Sequence, residues 1–264
     1  MRLLASAALL SFTALATPAV AQKGAISAAV ANPDRPEAER ARDRYRHPVE
    51  TLTFFGVTPT QTVVEYSPGG GWYTRILMPL LADKGSYVAA TSPRGPDGAK
   101  ALVAKGPGAA RAKVIAFDPA GTAELAPAAG ADRVLTFRNV HNLLMAKDGG
   151  PDGAAPAFFA AAFKALKPGG VLGVVDHRLP ENASAEREKT SGYVKRSTVV
   201  RLATAAGFTL AGESQVNANP KDSADWPKGV WTLPPTLQLG EQDRAKYVAI
   251  GESDRMTLRF VKPR

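Results

Sequence analysis

The feature that most constrains the fold is a regular alternation of short apolar runs with longer amphipathic stretches from residue 62 onward. The first pair reads as a strand, TVVEY, followed by a glycine loop and a helix, SPGGGWYTRILMPLL. This alternation is typical of a doubly wound α/β fold, with a mostly parallel sheet and helices on both faces. Such sheets bind ligands beyond the carboxyl ends of their strands, so we expect the functional residues just after the strands.

Hydrophobic periodicity and turn residues predict the individual elements. The predicted strands are Thr62–Tyr66, Tyr87–Thr91, Lys113–Phe117, Arg133–Phe137, Val171–Asp176, Phe208–Gly212 and Arg255–Val261. The predicted helices are 22–46, Trp72–Leu81, Ala99–Lys105, Pro156–Leu166 and Ser197–Ala206. The segment 213–253 between the last two strands is unusually long for a connection, and we expect either a lid over a ligand or a packing flap.

The N-terminus has the layout of a secretory signal peptide, residues 1–21. Arg2 is followed by an apolar run and then by Ala-Val-Ala, after which cleavage is expected, between Ala21 and Gln22. The apolar run is short for a membrane span, and a buried N-terminal helix is the alternative. We therefore expect a periplasmic or secreted protein without a membrane span, in which a helical extension (22–50) precedes one domain (51–264).

Composition excludes several kinds of site. The chain of 264 residues has no cysteine, which excludes disulfides, thiolate nucleophiles and cysteine-bound zinc. The net charge of +9 is spread along the chain rather than gathered in runs, so nucleic-acid binding is not expected. The most basic stretch, RARDRYR, is interrupted by Asp43 and is predicted to be a solvated helix face.

The glycine loop could serve a ligand or a tight turn. A strand that leads directly into a helix points backbone N–H groups and the positive end of the helix dipole at the turn. Glycines there let a ligand approach the backbone. The Lys-Ser/Thr pair of a phosphate-binding loop is absent, and Thr74 stands where a dinucleotide loop would have a third glycine.

Three stretches together resemble the class I S-adenosylmethionine-dependent methyltransferases: VVEYSPGGG, DRVLTFRNVHNLL and LKPGGVLGVVDH. The chain looks closest to a family of exported, predicted bacterial methyltransferases that share RYRHPVETLTFFGV, PGGGWYT, FRNVHN and KPGG…VDHR. The resemblance extends from about Asn32 to Pro263. It implies a Rossmann-like sheet with an antiparallel last strand and S-adenosyl-L-methionine as cofactor.

The resemblance also implies which residues form the site. The loop would wrap the methionine part of the cofactor, Asp118 would face the adenine, and Arg138 with Asn139 would line the sulfonium end. The implied cofactor residues are Glu65, Tyr66, Ser67, Pro68, Gly69, Gly70, Gly71, Thr91, Asp118, Arg138 and Asn139. The residues implied at the edge of the substrate pocket are His141, Asn142, Asp176 and His177.

Two positions depart from the family pattern. Ser67 stands where ordinary members have glycine, and Pro68 after it removes one N–H donor. After the second strand, ordinary members have an acid that binds both ribose hydroxyls, whereas this chain has Thr91-Ser92-Pro93-Arg94. Two hydroxyl groups can still bond a ribose, but the charge-assisted pair is missing.

Two histidines are the candidates for acid–base chemistry, because their side chains titrate near neutral pH. His141 and His177 each follow a predicted strand, and with Asp176 they could form a base with an orienting carboxylate. Structural histidines bonded to the backbone are the alternative. The same three residues have the ligand types of a metal site but no diagnostic spacing, so no metal is predicted.

Two functions follow from these patterns. The first is a methyltransferase that acts on a small molecule, with His141, Asp176 and His177 as catalytic residues. The second is an exported, non-catalytic small-molecule binding protein that retains the fold. Export favours the second function, because the methyl donor is made in the cytoplasm. The glycine loop and Asn139 favour the first.

Overall fold

The central element of the computed structural model is an eight-stranded sheet. The structure describes residues 18–94, 96–121, 124–146 and 150–264. The strands are β1 (Thr62–Tyr66), β2 (Ser86–Thr91), β3 (Ala112–Ala116), β4 (Ala131–Phe137), β5 (Leu166–Leu179), β6 (Val194–Lys195), β7 (Thr209–Ser214) and β8 (Arg255–Val261).

The strand order is β3-β2-β1-β4-β5-β8-β7, with the short β6 paired to β5. The pairs from β3 to β5 are parallel, whereas β8 is antiparallel to both β5 and β7. The order reverses beside β1, because the chain crosses from β3 at one edge to β4 on the other side of β1. The carboxyl ends of the neighbouring strands β1 and β4 form the crevice in which such sheets bind ligands. The predicted fold class is confirmed, including the antiparallel last strand.

Helices cover both faces of the sheet. They are α1 (Pro18–Val30), α2 (Glu37–Arg40), α3 (Asp43–Arg46), α4 (Pro48–Phe54), α5 (Thr74–Leu81), α6 (Pro96–Lys105), α7 (Val140–Leu144), α8 (Ala155–Ala165), α9 (Ala185–Thr190), α10 (Arg196–Ala205) and α11 (Arg244–Ile250). None of these helices has both the length and the apolar character needed to cross a bilayer.

Alternate residues of the central strands pack into two separate cores. In β1, Val63 faces the core under α1, α4 and α5, while Val64 faces the core under α8 and α10. Successive strand residues point to opposite faces, which explains why β1 is apolar on both sides. Burial of each such side chain stabilises the fold by about 1.5–3 kcal/mol.

The N-terminal extension differs from the single helix expected over residues 22–46. Helix α1 ends at Val30, and two short helices follow before α4 begins at Pro48. Pro33 and Pro36 interrupt the first helix, because proline lacks an N–H and restricts the residue before it. His47 has a left-handed backbone (φ 39°), which turns the chain into α4, a helix that the sequence pattern did not predict.

The structure moves the start of β5 and describes only the last part of the predicted signal peptide. Strand β5 begins at Leu166, five residues before the predicted start, so the predicted KPGG turn lies inside it. Residues 1–17 of the predicted signal peptide lie outside the described residues, and residues 18–21 begin α1. The domain boundary between residues 50 and 51 stays a prediction; in the structure this position lies within α4.

Candidate active site

A cavity of about 370 Å³ opens at the carboxyl ends of β1, β4 and β5, within the size range of small-molecule sites. The sequence-predicted residues in its walls are Glu65, Ser67, Pro68, Gly69, Gly70, Arg138, Asn139, His141, Asn142 and His177. The predicted residues outside its walls are Tyr66, Gly71, Thr91, Asp118 and Asp176. The structure thus brings together residues from three separate predicted strand ends.

The glycine loop forms part of the cavity wall and has two backbone N–H groups without an acceptor among the described residues. Ser67 and Gly69 have left-handed backbones, with φ of 53° and 56°. For serine this conformation is strained, which explains why glycine suits position 67 in related loops. The N–H of Gly71 donates to the carbonyl of Pro68 at 2.9 Å, whereas the N–H groups of Gly69 and Gly70 have no acceptor among the described residues.

The three positions of the glycine loop differ in what a side chain would meet there. A Cβ on Gly71 would lie 2.0 Å from Leu102 Cδ2, so this glycine lets α6 pack against the loop. A Cβ on Gly69 or Gly70 would meet nothing within 4 Å. Packing thus gives a reason for the missing side chain at Gly71, and the predicted role of Gly71 at the cofactor stays a prediction.

Asn139 and Glu65 are two buried polar residues next to the glycine loop. The Asn139 side-chain amide donates to the carbonyls of Tyr66 (3.2 Å) and Ser67 (3.3 Å). The Glu65 carboxyl is almost completely buried, and burial raises its pKa to about 7, although hydrogen bonds from Tyr87 and other hydroxyl groups act to lower it. Asn139 therefore fixes the start of the loop, which was the expected place for the cofactor, whereas Glu65 joins the end of β1 to Thr74 in α5 and to Tyr87 in β2.

The residues predicted for the adenosine half lie away from the cavity. Asp118 is exposed, and its carboxylate accepts a hydrogen bond from the N–H of Ala120 at 3.0 Å. Thr91 ends β2 and is half-buried. Tyr66, which was predicted at the methionine part of the cofactor, also lies outside the cavity wall. Its ring is part of the core, with its centre 4.5 Å from that of Phe158. The cofactor roles of Thr91 and Asp118 stay predictions.

Asp176 holds His141 in place. The Asp176 carboxylate is fully buried and accepts from His141 twice, at its backbone N–H (3.1 Å) and at ring Nδ1 (2.8 Å). It also accepts from the N–H of His177 at 2.7 Å. The predicted base with an orienting carboxylate is therefore present as geometry. Asp176 is not among the residues of the cavity wall, and its predicted catalytic role stays a prediction.

His177 stands beside this pair as a neutral imidazole. Its Nδ1 lies 2.5 Å from the Ser253 hydroxyl, and its ring centre is 5.0 Å from that of His141. Burial, followed by the nearby His141 and by Arg138, holds the pKa of His177 well below its ordinary value of 6.5. With both Nδ1 atoms engaged, Nε2 is the ring nitrogen of each histidine that remains for a ligand.

Solved structures of other proteins share the fold of this chain. No family model and no curated protein matches the chain. A SAM-dependent methyltransferase from Aquifex aeolicus is similar in structure, with a TM-score of 0.56, 16% identity and coverage of 91% of this chain and 98% of that chain. The chain has the fold of the class I methyltransferases.

Two further solved structures show how widely this methyltransferase fold is used. A geranyl diphosphate C-methyltransferase from Streptomyces coelicolor, in complex with Mg²⁺, geranyl diphosphate and S-adenosyl-L-homocysteine, has a TM-score of 0.54 at 12% identity, covering 89% of each chain. The [4+2]-cyclase SpnF has a TM-score of 0.55 at 13% identity, covering 88% of this chain and 85% of that chain. At such identities the likeness shows the fold alone, and function must be argued from the site.

Within this methyltransferase fold, the candidate metal ligands come together. Ligand atoms of His141, Asp176 and His177 lie within 4.8 Å of one another, which their spacing in the sequence did not indicate. However, the oxygens of Asp176 already accept three hydrogen bonds. Positive charge from Arg138 also reaches His177 and would oppose a divalent cation. The donor set suits a hydrogen-bonded base better than a cation.

The sequence pattern missed two of the three arginines in the cavity wall. Arg42 and Arg46, from the stretch predicted to be a solvated helix face, line the cavity instead. Arg46 is only 2% exposed and bonds Glu252, 206 residues further along the chain. The available signal was their spacing of four residues, which in a continuous helix puts both side chains on one face. In the structure Arg42 is the residue before α3.

The segment 213–253 covers one side of the cavity. Its wall residues are Val230, Trp231, Pro234, Pro235, Thr236, Glu252 and Ser253. Trp231 lies near the candidate base, with its ring centre 6.4 Å from that of His141. The segment therefore has the position that a lid requires, and its opening stays a prediction.

Proposed function

We propose that the protein is an S-adenosylmethionine-dependent methyltransferase that acts on a small-molecule acceptor. The observation that carries the proposal is one cavity that joins the glycine loop to the His141–Asp176 pair, in a fold shared with methyltransferases. Methyl transfer needs a donor site and an acceptor site side by side, because the reacting atoms must lie in line.

The glycine loop fits the methionine end of the cofactor. The free N–H groups of Gly69 and Gly70, with open space in place of side chains, suit a ligand that lies against the backbone. When bound, the cofactor supplies a methyl group on a positively charged sulfur. The protein's part is to hold and orient both partners and to exclude water.

His141 is the residue that we assign to proton removal from an oxygen or nitrogen acceptor. Its Nδ1 donates to Asp176, so Nε2 is the atom that accepts the proton. Asp176 orients the ring and stabilises the imidazolium that forms. Trp231 and Val230 shield this end of the cavity from water.

A non-catalytic binding protein is the second candidate, and one observation favours it. Thr91 and Asp118, the residues expected to hold the adenosine half, lie outside the cavity, and Asp118 is exposed. A cofactor without those contacts would bind weakly, since the charge-assisted ribose pair is also missing. The same fold would then hold a different small molecule in the cavity.

We also propose that the protein is exported, as a member of the exported methyltransferase-like family that it resembles. Contact with the domain begins just after the expected cleavage point: Val20 is 61% exposed, whereas the Gln22 amide donates to the carbonyl of Val57 at 3.0 Å. N-terminal sequencing of the protein from a periplasmic fraction is expected to begin at Gln22. A sequence that begins at Met1 would contradict export.

Calorimetric titration with S-adenosylmethionine and S-adenosylhomocysteine tests the methyltransferase proposal. We expect the wild-type protein to bind both ligands. Gly70→Leu should weaken binding at least tenfold, because the new side chain enters the open space against which the cofactor lies. Gly98→Leu is the matched control, since Gly98 also has open space but lies outside the cavity.

The same titration distinguishes the two candidates. A folded wild-type protein that binds neither ligand at millimolar concentration would overturn the methyltransferase proposal and favour the binding protein. Gly71→Leu is not a suitable probe, because it would clash with Leu102 and disturb the fold whatever the loop binds. Thermal unfolding of each variant checks that loss of binding is not loss of folding.

A further inference from the structure

Four arginines surround one carboxylate at the histidine end of the cavity. Glu252 accepts from Arg42 Nε at 2.6 Å, from Arg46 Nε at 3.2 Å and from Arg255 Nη1 at 3.0 Å. Arg138, in the cavity wall, adds a fourth positive charge that Glu252 also feels. One carboxylate cannot neutralise four guanidinium groups, so this end of the cavity carries net positive charge.

The other two acids in the cavity wall do not supply the missing negative charge. Burial raises the pKa of Glu65 to about 7, and its carboxyl group bonds Thr74 and Tyr87 rather than an arginine. Glu39 is bound to Arg75, with 2.6 Å between Oε1 and Nη1, and that pair is neutral as a unit. The positive charge of the cluster is thus left for a ligand to balance. Buried charges are normally paired, so such an excess in a cavity marks a binding site.

Several guanidinium donors of the cluster are unused. Nη2 of Arg46 and Nη2 of Arg42 are buried without a hydrogen-bond acceptor among the described residues. The Arg138 guanidinium forms no ion pair within that part of the chain, and its residue has a left-handed backbone (φ 63°). Arg46 is 2% exposed, so leaving one of its donors without a partner is costly unless a ligand accepts from it.

The lowered pKa values of Arg46 and Arg138 also favour a bound anion. Burial, and after it the charge of Arg138, lowers the pKa of Arg46 to about 9, while burial and then Arg255 lower the pKa of Arg138 to about 10. Both side chains remain protonated at neutral pH, and the charge of Arg138 makes the charge of Arg46 less favourable. An anion between them would relieve this repulsion and accept charge-assisted hydrogen bonds.

The cluster lies on the acceptor side of the cavity. Arg255 stands directly opposite His177 in the β5–β8 ladder, and the charges of Arg138 and Arg46 are felt at His177. A guanidinium group would repel the positively charged sulfur of the cofactor. The family resemblance assigned Arg138 to that sulfur, but its charge suits a negatively charged acceptor group better.

We propose that the methyl acceptor carries an oxyanion, a carboxylate or a phosphate, which Arg138 and Arg46 bind while its nucleophilic oxygen or nitrogen lies near His141. This inference rests on the proposed methyltransferase function. The planar fork of a guanidinium group matches the two oxygens of either oxyanion, which lysine could not do. In the transfer, the nucleophile forms its bond to the methyl carbon, the carbon–sulfur bond breaks with its electron pair on sulfur, and His141 takes the nucleophile's proton.

The test is calorimetric titration of the full-length protein with benzoate, inorganic phosphate and uncharged benzyl alcohol. We expect at least one anion to bind and benzyl alcohol not to bind, and the preferred anion identifies the acceptor's group. Arg138→Gln should weaken anion binding at least tenfold, and Arg138→Lys should weaken it less, because the charge remains but the fork is lost. Arg111→Gln is the matched control: it removes one exposed arginine outside the cavity and should change nothing.

A repeat with saturating S-adenosylhomocysteine separates the two proposals. Anion binding that persists beside the bound cofactor product supports an acceptor site. Anion binding that competes with it would overturn the inference, since the arginines would then hold the cofactor's own carboxylate. Absence of anion binding, or equal binding by Arg138→Gln, would also overturn it. Anion binding without any S-adenosylhomocysteine binding would overturn the methyltransferase function but keep the oxyanion site.

Discussion

Glu65 is a carboxyl group that folding removes almost completely from water, at the base of the glycine loop. It is 2% exposed, and one of its oxygens accepts from Tyr87 at 2.6 Å and from Thr74 at 2.9 Å. Burial raises its pKa from 4.5 to about 7. Because the folded protein holds this proton more tightly than the unfolded chain, the Glu65 contribution to stability is complete below about pH 4.5 and is lost as the pH rises through 7.

We predict that Glu65→Gln removes this pH dependence. Glutamine resembles the protonated carboxyl group, so the variant should gain stability relative to the wild type between pH 5 and 8, by up to about 3 kcal/mol. Urea unfolding at several pH values measures the difference. Asp118→Asn, at an exposed carboxyl, is the control and should follow the wild type. A Glu65→Gln protein with an unchanged pH slope would contradict the prediction.

Individual site residues were predictable where a local pattern marks them. Ser67 occupies a position where glycine is usual, and its left-handed backbone is the conformation that glycine favours. Gly71 was predicted as a cofactor residue, and the structure adds a packing reason for it that no local pattern indicates, because the side chain that a Cβ would meet, Leu102, belongs to the next helix. Local patterns show that a backbone position is special but not which neighbour makes it so.

At the scale of elements, Trp72 is one of the side chains that attach the N-terminal extension to the domain. The Trp72 ring lies between the guanidinium groups of Arg35 (5.0 Å) and Arg46 (4.7 Å). Its Nε1 donates to the carbonyl of Glu39 at 3.1 Å. Arg35 in turn binds Asp43 through both nitrogens of its fork. The glycine loop and the extension therefore share this residue, so the loop shape depends on the extension.

We predict that Trp72→Phe loosens the extension while the sheet stays intact. The variant loses the hydrogen bond to Glu39 and part of the cation–π contacts, at a cost of about 1–2 kcal/mol. Hydrogen exchange measured by mass spectrometry should become faster in residues 31–46 and stay unchanged in β4 and β5. Trp226→Phe, in the segment 213–253, is the matched control and should leave residues 31–46 protected. Equal exchange in Trp72→Phe and wild type would count against the attachment.

The elements themselves were largely predictable, because hydrophobic periodicity and turn residues are local signals. Strand β8 has the predicted bounds, Arg255–Val261, and β1 has its predicted bounds as well. The extension was not predictable in detail. Its short helices are stabilised by contacts with Trp72 and Glu252 rather than by their own sequences.

At the scale of the whole molecule, Glu252 joins the N-terminal extension to the last part of the chain. It bonds Arg42 and Arg46, which lie 210 and 206 residues away, and Arg255 at the start of β8. Burial acts to raise the pKa of Glu252, but Arg255, Arg46 and Arg42 outweigh burial and hold that pKa at about 2. Its folded-state pKa therefore lies below the ordinary value of 4.5. The resulting stability is present above about pH 4.5 and is lost as the pH falls toward 2.

We predict that Glu252→Gln lowers the free energy of unfolding by about 3 kcal/mol at pH 7, because it leaves the buried Arg46 and Arg255 and the half-buried Arg42 without their anion. The difference from wild type should shrink as the pH falls below 4. Urea unfolding followed by tryptophan fluorescence and by far-UV circular dichroism measures it. Glu213→Gln, which breaks the more exposed pair with Arg196, is the control and should cost less than about 1 kcal/mol. A loss of that small size in Glu252→Gln would contradict the prediction.

The sequence by itself determined where the seven long strands lie along the chain and which main helices separate them. From this follow the α/β class and the edge of the sheet where the candidate site lies. These follow from local periodicity and from the rule that such sheets bind ligands at the carboxyl ends of their strands. Only the tertiary structure decided the partners within the site. His141 meets Asp176, 35 residues away, and Arg46 meets Glu252, 206 residues away. Periodicity reports which face of an element is buried, but packing between elements selects the charges that face each other across the cavity.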